Sequence, residues 1–179
     1  MRPLGLIMLV GLVLAACGRG RPPAPPPAGP PPMAPFPAPT RIYYDNSGGI
    51  ADSVRRVVKD AAEFERVWRQ ATSRQTSPPP VPAIDFTREM VIVVGAGQLT
   101  PEDQIAVDSV GTTRQMDSAG QMRETLSVMV QTTLACQRFE IEAYPLEIVR
   151  LRRFDGPIRI VNRPTRQAEG CRDGPQRSP

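Results

Sequence analysis

Residues 84–97 read IDFTREMVIVVGAG and contain an unbroken apolar run at residues 90–94. Four of the five residues in this run are β-branched, which favours a β-strand. A strand with one face in water would alternate apolar and polar residues, and this run does not. Gly95 and Gly97 follow at once and predict where the strand ends. The run therefore predicts a central strand that is buried on both faces.

The segment before this strand predicts an amphipathic helix that begins at Asp60. Asp60 and Glu63 have the spacing of a capping box, which is typical of a helix N-terminus. Apolar residues then recur at intervals of three and four residues: Ala61, Phe64, Val67, Trp68 and Ala71. We expect this face to lie on the sheet and to bury Phe64 and Trp68 against residues 91–94.

Further short segments have the composition of strands. They are residues 42–44, 54–58, 105–110, 126–130, 141–151 and 158–161. The turn at residues 117–120 predicts that the third and fourth of these segments form an antiparallel hairpin. The predicted fold class is α+β, with one N-terminal amphipathic helix packed on a mostly antiparallel β-sheet or small β-sandwich.

The N-terminus predicts export. Arg2 precedes an apolar run that is shorter than the roughly twenty residues needed to span a bilayer, so residues 1–16 are expected to be a signal peptide. The run ends Leu-Ala-Ala-Cys, which resembles a bacterial lipobox, and this implies cleavage before Cys17 and lipidation of its thiol. The alternative is an ordinary secretory signal in which the small residues precede the cleavage site by chance.

Residues 17–40 are expected to be the lipidated cysteine and a proline-rich spacer in an extended conformation. Residues 41–166 are expected to form the globular body, and residues 167–179 a polar tail. Two or three acyl chains would anchor the protein stably to a membrane. We therefore expect a lipid-anchored protein of the cell envelope. If the source has two membranes, Gly18 in place of an aspartate favours the outer membrane, facing the periplasm.

Three cysteines are present, and the lipid site accounts for one of them. Cys136 and Cys171 form an even pair in an oxidising compartment, which predicts a disulfide that ties the tail to the body. The sequence contains no histidine, so two cysteines alone do not provide the ligands of a closed zinc site. No metal and no cofactor are expected.

No catalytic motif stands out. Histidine, the commonest general base, is absent, and no nucleophile elbow or phosphate-binding loop occurs. Three acidic pairs lie in loops or at strand edges, where solvated or capping carboxylates are usual: Asp85 with Glu89, Glu102 with Asp103, and Glu140 with Glu142. The net charge of +4 is spread along the chain, so no nucleic-acid partner is expected. The protein is predicted not to be an enzyme.

The body resembles the C-terminal domain of the protease complex subunit PrcB family across residues 54–160. Three groups of residues carry the resemblance: Glu63, Phe64 and Trp68; Asp85, Phe86, Glu89 and residues 91–94; and Tyr144, Pro145, Ile148 and Val149. Members of this family are secreted proteins or lipoproteins, and the namesake is a non-catalytic partner of a surface protease assembly. After the buried strand the family often has a Thr-Gly-Gly-Tyr-like turn, whereas residues 98–103 here read QLTPED.

Two functions follow as expectations. The first is an accessory lipoprotein that binds or stabilises an exported protein, with a protease complex as one such partner. The second is a lipid-anchored protease inhibitor that presents a loop of a β-sandwich to an active-site cleft. For the inhibitor we expect the contacts to come from the loop at residues 98–103. For the accessory protein we expect them to come from this loop and from one arginine-bearing strand: Gln98, Leu99, Thr100, Glu102, Asp103, Arg150 and Arg152.

Replacing Cys17 by Ala should abolish fatty-acid attachment and release the protein from membranes, because the acylated thiol is lost. Metabolic labelling with palmitate followed by membrane fractionation measures both effects. Cys136→Ser is the matched control, since it removes a cysteine and leaves the lipobox intact. Label retained by the Cys17→Ala variant would contradict the prediction.

Overall fold

The computed structural model describes residues 33–171, which contain nine strands and one helix. In chain order the elements are β1 Ala34–Pro35, β2 Thr40–Asp45, β3 Ser53–Val58, α1 Ala61–Ala71, β4 Glu89–Ala96, β5 Gln104–Met116, β6 Met122–Leu134, β7 Leu146–Arg152, β8 Ile158–Asn162 and β9 Arg166–Gln167. The predicted signal peptide, Cys17, most of the spacer and the last eight residues lie outside the described residues. No helix in residues 33–171 combines the length and apolar character needed to cross a membrane.

The strands form two sheets. The first sheet has the order β2-β7-β4-β3, and the second has the order β1-β5-β6-β8, with β9 also beside β6. The prediction of a β-rich body with one short helix is confirmed for the described residues. Pairing is antiparallel except that β8 and β9 run parallel to β6. These parallel pairings were not predicted, because apolar periodicity does not identify the neighbour of a strand.

Strand β4 is buried on both faces, as its composition predicts. Val91 and Val93 belong to the core between the first sheet and the helix. Met90, Ile92 and Val94 belong to the core between the two sheets. All five side chains are fully buried, so β4 contributes to both cores.

Helix α1 begins after Asp60, whose Oδ1 accepts the backbone N–H of Glu63 at 2.8 Å. Its apolar face packs on the first sheet, and Phe64 and Trp68 are buried in the same core as Val91 and Val93. The Trp68 indole N–H donates to the carbonyl of Pro79 at 3.0 Å, which satisfies its one polar atom. The predicted helix and its contact with the central strand are confirmed.

The β5–β6 hairpin is present but is longer than predicted. The expected segments, residues 105–110 and 126–130, are the inner parts of β5 and β6. The outer residues 114–116 and 122–124 are exposed on the paired strands. Because no buried face imposes an apolar alternation on these residues, their sequence carries no strand signal.

The N-terminal boundary of the body differs from the prediction. The spacer was expected to continue to residue 40, but Ala34 and Pro35 form an edge strand that pairs with Thr112 and Gly111 of β5. Proline is tolerated at such an edge because its missing N–H is not needed by a further strand. The ordered body therefore includes residues that composition alone assigns to the spacer.

The C-terminal part of the body also differs. A strand was predicted over residues 141–151, whereas β7 begins at Leu146, directly after Pro145. The predicted tail begins at residue 167, but β9 pairs with the end of β6. Cys136 and Cys171 form a disulfide, which confirms the predicted pair. The bridge ties the chain after β9 to the loop after β6.

Candidate functional site

The β4–β5 loop, residues 97–103, leaves the first sheet at the end of β4. Gly97 has φ 79°, a left-handed conformation that favours glycine, and it turns the chain out of the strand. The N–H of Leu99 donates to the carbonyl of Ala143 at 2.9 Å, and the N–H of Ala143 donates back to Leu99 at 3.0 Å. These bonds place the loop beside the β6–β7 loop, residues 135–145.

The carboxylate of Asp103 joins the two loops from inside the protein. Its Oδ1 accepts the N–H of Ala135 at 3.0 Å, and its Oδ2 accepts the N–H and the hydroxyl of Thr100 at 3.1 and 3.0 Å. The Arg138 guanidinium lies 2.8 Å from Oδ2 and forms an ion pair with it. Burial alone would raise the pKa of the Asp103 carboxyl, but the hydrogen bonds from Ala135, Arg138 and Thr100 together lower it. An ionised Asp103 thus fixes both loops.

The burial of Asp103 corrects one predicted contact. Its side chain is 0% exposed, so it cannot meet a partner directly. An aspartate in a polar loop is usually solvated, and nothing in the sequence pairs it with an arginine 35 positions later. Glu102 is half-buried, and its Oε2 has no hydrogen-bond partner among the described residues. The other predicted residues of this loop, Gln98, Leu99 and Thr100, do line an open groove.

The ladder between the two loops stops after one residue pair. In an antiparallel ladder the next hydrogen-bonded pair beyond Leu99 and Ala143 would be residue 101 with Ile141. Pro101 has no N–H to donate, so this pair cannot form in full. No backbone group of residues 137–142 makes a backbone hydrogen bond to another described residue. The β6–β7 loop therefore has an unpaired part between its two anchors, Arg138 and Ala143.

Two large apolar side chains are exposed on this unpaired part. Phe139 is 58% exposed and Ile141 is 62% exposed. They line a groove of about 440 Å³ between the two loops, together with Gln98, Leu99, Thr100, Arg138, Glu140 and Glu142. We call this feature the loop groove. Neighbouring exposed apolar residues beside a groove are typical of binding surfaces.

The loop groove is acidic. Its one cation, Arg138, is neutralised by Asp103. Glu142 accepts hydrogen bonds from the neutral groups of Gln98 at 2.9 Å and Tyr144 at 3.0 Å. It forms no salt bridge with a described residue, and the Arg74 guanidinium lies outside the groove, 4.4 Å from the centroid of the Tyr144 ring. Glu140 forms no salt bridge with a residue in the described range. Two carboxylates therefore flank the exposed apolar side chains.

The predicted arginine contacts lie elsewhere. Arg150 forms a salt bridge to Glu89 at 3.3 Å, and the Arg152 guanidinium lies 4.9 Å from the ring centroid of Phe36. Leu146 pairs with the loop end of β4, and Arg152 pairs with the opposite end. Six residues of extended chain separate these positions by about 20 Å. The structure therefore does not bring Arg150 and Arg152 together with the β4–β5 loop.

The acidic pair Asp85 and Glu89 lies at a turn and at the start of β4. The Thr87 hydroxyl donates to Asp85 Oδ1 at 2.6 Å, and with the N–H of Thr87 this bond lowers the pKa of the Asp85 carboxyl. The Glu89 carboxylate faces Arg150. Within residues 33–171 no group of three or more Cys, Asp or Glu side chains is arranged to hold a metal ion.

Comparison of the chain with protein-family models, curated proteins and solved structures finds no match. The resemblance to the PrcB family, which rests on short motifs, stays a prediction. The loop groove must therefore be interpreted from its own geometry and charge.

Phe139 and Ile141 were not predicted as candidate residues. The sequence FEIE at residues 139–142 alternates apolar and acidic residues, and this imitates the start of a half-buried strand. Two signals oppose that interpretation: Pro145 separates the segment from β7, and Pro101 prevents a second loop from pairing with it. Sequence alone does not show that Pro101 lies opposite residues 139–142. This follows only from the pairing of Leu99 with Ala143 in the structure.

Asp103→Asn should lower the free energy of unfolding at neutral pH by about 1–3 kcal/mol, because the amide cannot satisfy the buried donors and leaves Arg138 without its counter-ion. Urea unfolding of the purified protein, followed by circular dichroism, measures the change. Asp52→Asn, at an exposed position, is the control and should have little effect.

The comparison of the wild type with Asp103→Asn also gives a pH test. The folded-state pKa of Asp103 is lowered, so its stabilisation is present above the ordinary value of 3.8 and is lost as the pH falls through the folded-state value. The difference between the wild type and Asp103→Asn should therefore shrink in acid. A difference that stays constant from neutral pH to about pH 2 would contradict the assignment of an ionised Asp103.

Proposed function

We propose that this chain is a non-catalytic lipoprotein of the cell envelope that binds or stabilises an exported partner protein through the loop groove. The observation that carries the proposal is the exposure of Phe139 and Ile141 on a segment that is anchored at both ends. Large apolar side chains in such a position release free energy when a partner covers them, at about 25 cal/mol per Å². Anchors at both ends also reduce the conformational entropy that a loop loses on binding.

The shape of the groove favours a macromolecular partner. A pocket for a small molecule encloses most of its ligand, whereas Phe139 and Ile141 project from an open surface. Aromatic residues are common among the side chains that dominate protein–protein affinity. A protein surface or segment is therefore the ligand class that fits the exposed pair best.

The predicted N-terminus supports the location of this activity. A lipid on Cys17 and a proline-rich spacer would hold the body near a membrane while leaving the groove accessible to other exported proteins. The outer membrane, facing the periplasm, is the proposed site if the source has two membranes. The resemblance to the PrcB family makes a protease complex a suitable partner to test first.

The alternative function is a lipid-anchored protease inhibitor. Such a protein presents a rigid loop to an active site, and the β4–β5 loop is held rigidly through Asp103 and Thr100. The most exposed apolar side chains of the groove belong to the neighbouring β6–β7 loop, which favours an accessory role over insertion of residues 98–103 into a cleft. An inhibitor would slow a peptidase when added alone, whereas an accessory protein would change assembly or lifetime.

Phe139→Asp should weaken partner binding by at least about thirtyfold, which corresponds to roughly 2 kcal/mol for a dominant interface residue. The test is cross-linking in intact cells, purification of the full-length lipoprotein and quantitative mass spectrometry. The expected result is an exported protein that is recovered with the wild type and depleted with the variant.

The matched control is Met122→Asp, because Met122 is 61% exposed but lies at the tip of the β5–β6 hairpin. This variant carries the same new charge and should retain the partner. Equal recovery with Phe139→Asp and Met122→Asp would contradict the proposal that the loop groove is the binding surface.

A further inference from the structure

The charge of the loop groove restricts the partner that it fits. Glu140 and Glu142 flank Phe139 and Ile141, and the one arginine of the groove is already neutralised by Asp103. A partner that covers the apolar side chains also approaches both carboxylates. If that partner brings no positive charge, the carboxylates lose hydration without gaining a counter-ion, which disfavours binding.

The backbone of Ile141 provides a further point of recognition. Because Pro101 cannot complete the ladder, the N–H and C=O of Ile141 have no backbone partner among the described residues. A partner in an extended conformation can supply the missing donor and acceptor while its side chains contact the groove. A peptide segment therefore fits the groove better than a rounded protein surface does.

The groove is unlike the other exposed apolar pair of the described residues. Met116 and Met122 are 69% and 61% exposed, but they face each other as paired residues of the β5–β6 hairpin. Their backbone groups belong to a continuous ladder, and the nearby Asp117 is paired with Arg123. At the loop groove, exposed apolar side chains, backbone groups without a backbone partner and carboxylates without a salt bridge lie together.

We propose that the loop groove binds an extended peptide segment of the exported partner in which apolar side chains alternate with lysine or arginine. This inference rests on the proposed function and names the partner chemistry of the same site. The apolar side chains cover Phe139, Ile141 and Leu99, and the basic side chains approach Glu140 and Glu142. A second copy of the chain is a poor occupant, because two acidic grooves repel each other.

The experiment uses three labelled synthetic peptides and the full-length lipoprotein in detergent, with binding measured by fluorescence polarisation at about 0.15 M salt. The first peptide alternates leucine with lysine, the second alternates leucine with glutamate, and the third alternates serine with lysine. The leucine–lysine peptide should bind at least tenfold more tightly than each of the others, since it alone supplies both apolar contacts and positive charge.

Glu140→Lys tests where the charge selectivity arises. It should weaken binding of the leucine–lysine peptide by about two- to fivefold, the size expected for an exposed ion pair. It should also strengthen binding of the leucine–glutamate peptide. Glu65→Lys changes the net charge by the same amount on the exposed face of α1 and should leave both affinities unchanged. Thermal melting of each variant verifies that the fold is retained.

Several results would overturn the inference. They are equal binding of the leucine–lysine and leucine–glutamate peptides, no binding of any peptide, and equal effects of Glu140→Lys and Glu65→Lys. Removal of residues 172–179 should leave the affinity unchanged, and a rise would assign the groove to the protein's own tail. If Phe139→Asp still abolishes recovery of a cellular partner while none of the peptides binds, the proposed function stands and only the proposed chemistry of the partner is wrong.

Discussion

Strand β4 has no side that faces water, and the positions of the other elements depend on this constraint. Val91 and Val93 require the cover of helix α1, while Ile92 and Val94 require the cover of the second sheet. A helix on one side and a hairpin on the other are therefore fixed relative to the same strand. The loop that leaves β4 at Gly97 starts from a strand that is packed on both faces, and for this reason it can carry a binding surface with a defined geometry.

A second constraint holds that surface in place. Asp103 accepts hydrogen bonds from both loops, and the disulfide of Cys136 with Cys171 ties the start of the β6–β7 loop to the end of the body. Pro101 then prevents the two loops from pairing beyond Leu99. The same loops are thus fixed at their ends and left open between them. The anchors at both ends reduce the conformational entropy that the open part of the loop loses when a partner binds.

The sequence predicts those elements whose pattern of apolar residues is determined by burial alone. The run at residues 90–94 and the face of α1 were predicted because burial alone determines their residues. The segment that forms β8 was predicted as a strand, but its parallel pairing with β6 was not, and β1 and β9 were not predicted at all. Composition does not encode which edge of the second sheet a short strand joins. At the site, Asp103 was taken for a contact residue because its arginine partner is distant in sequence. Phe139 was missed because its surroundings imitate a strand.

The central claim is that a partner covers the groove between the β4–β5 and β6–β7 loops. Hydrogen–deuterium exchange of the full-length protein, alone and in complex with the cellular partner recovered with the wild type, tests this claim most directly. The account predicts slower exchange at residues 98–100 and 138–142 in the complex, with no change at the hairpin tip, residues 116–122. Protection at the hairpin tip or at the Arg152 end of β7, with none at the groove, would contradict it.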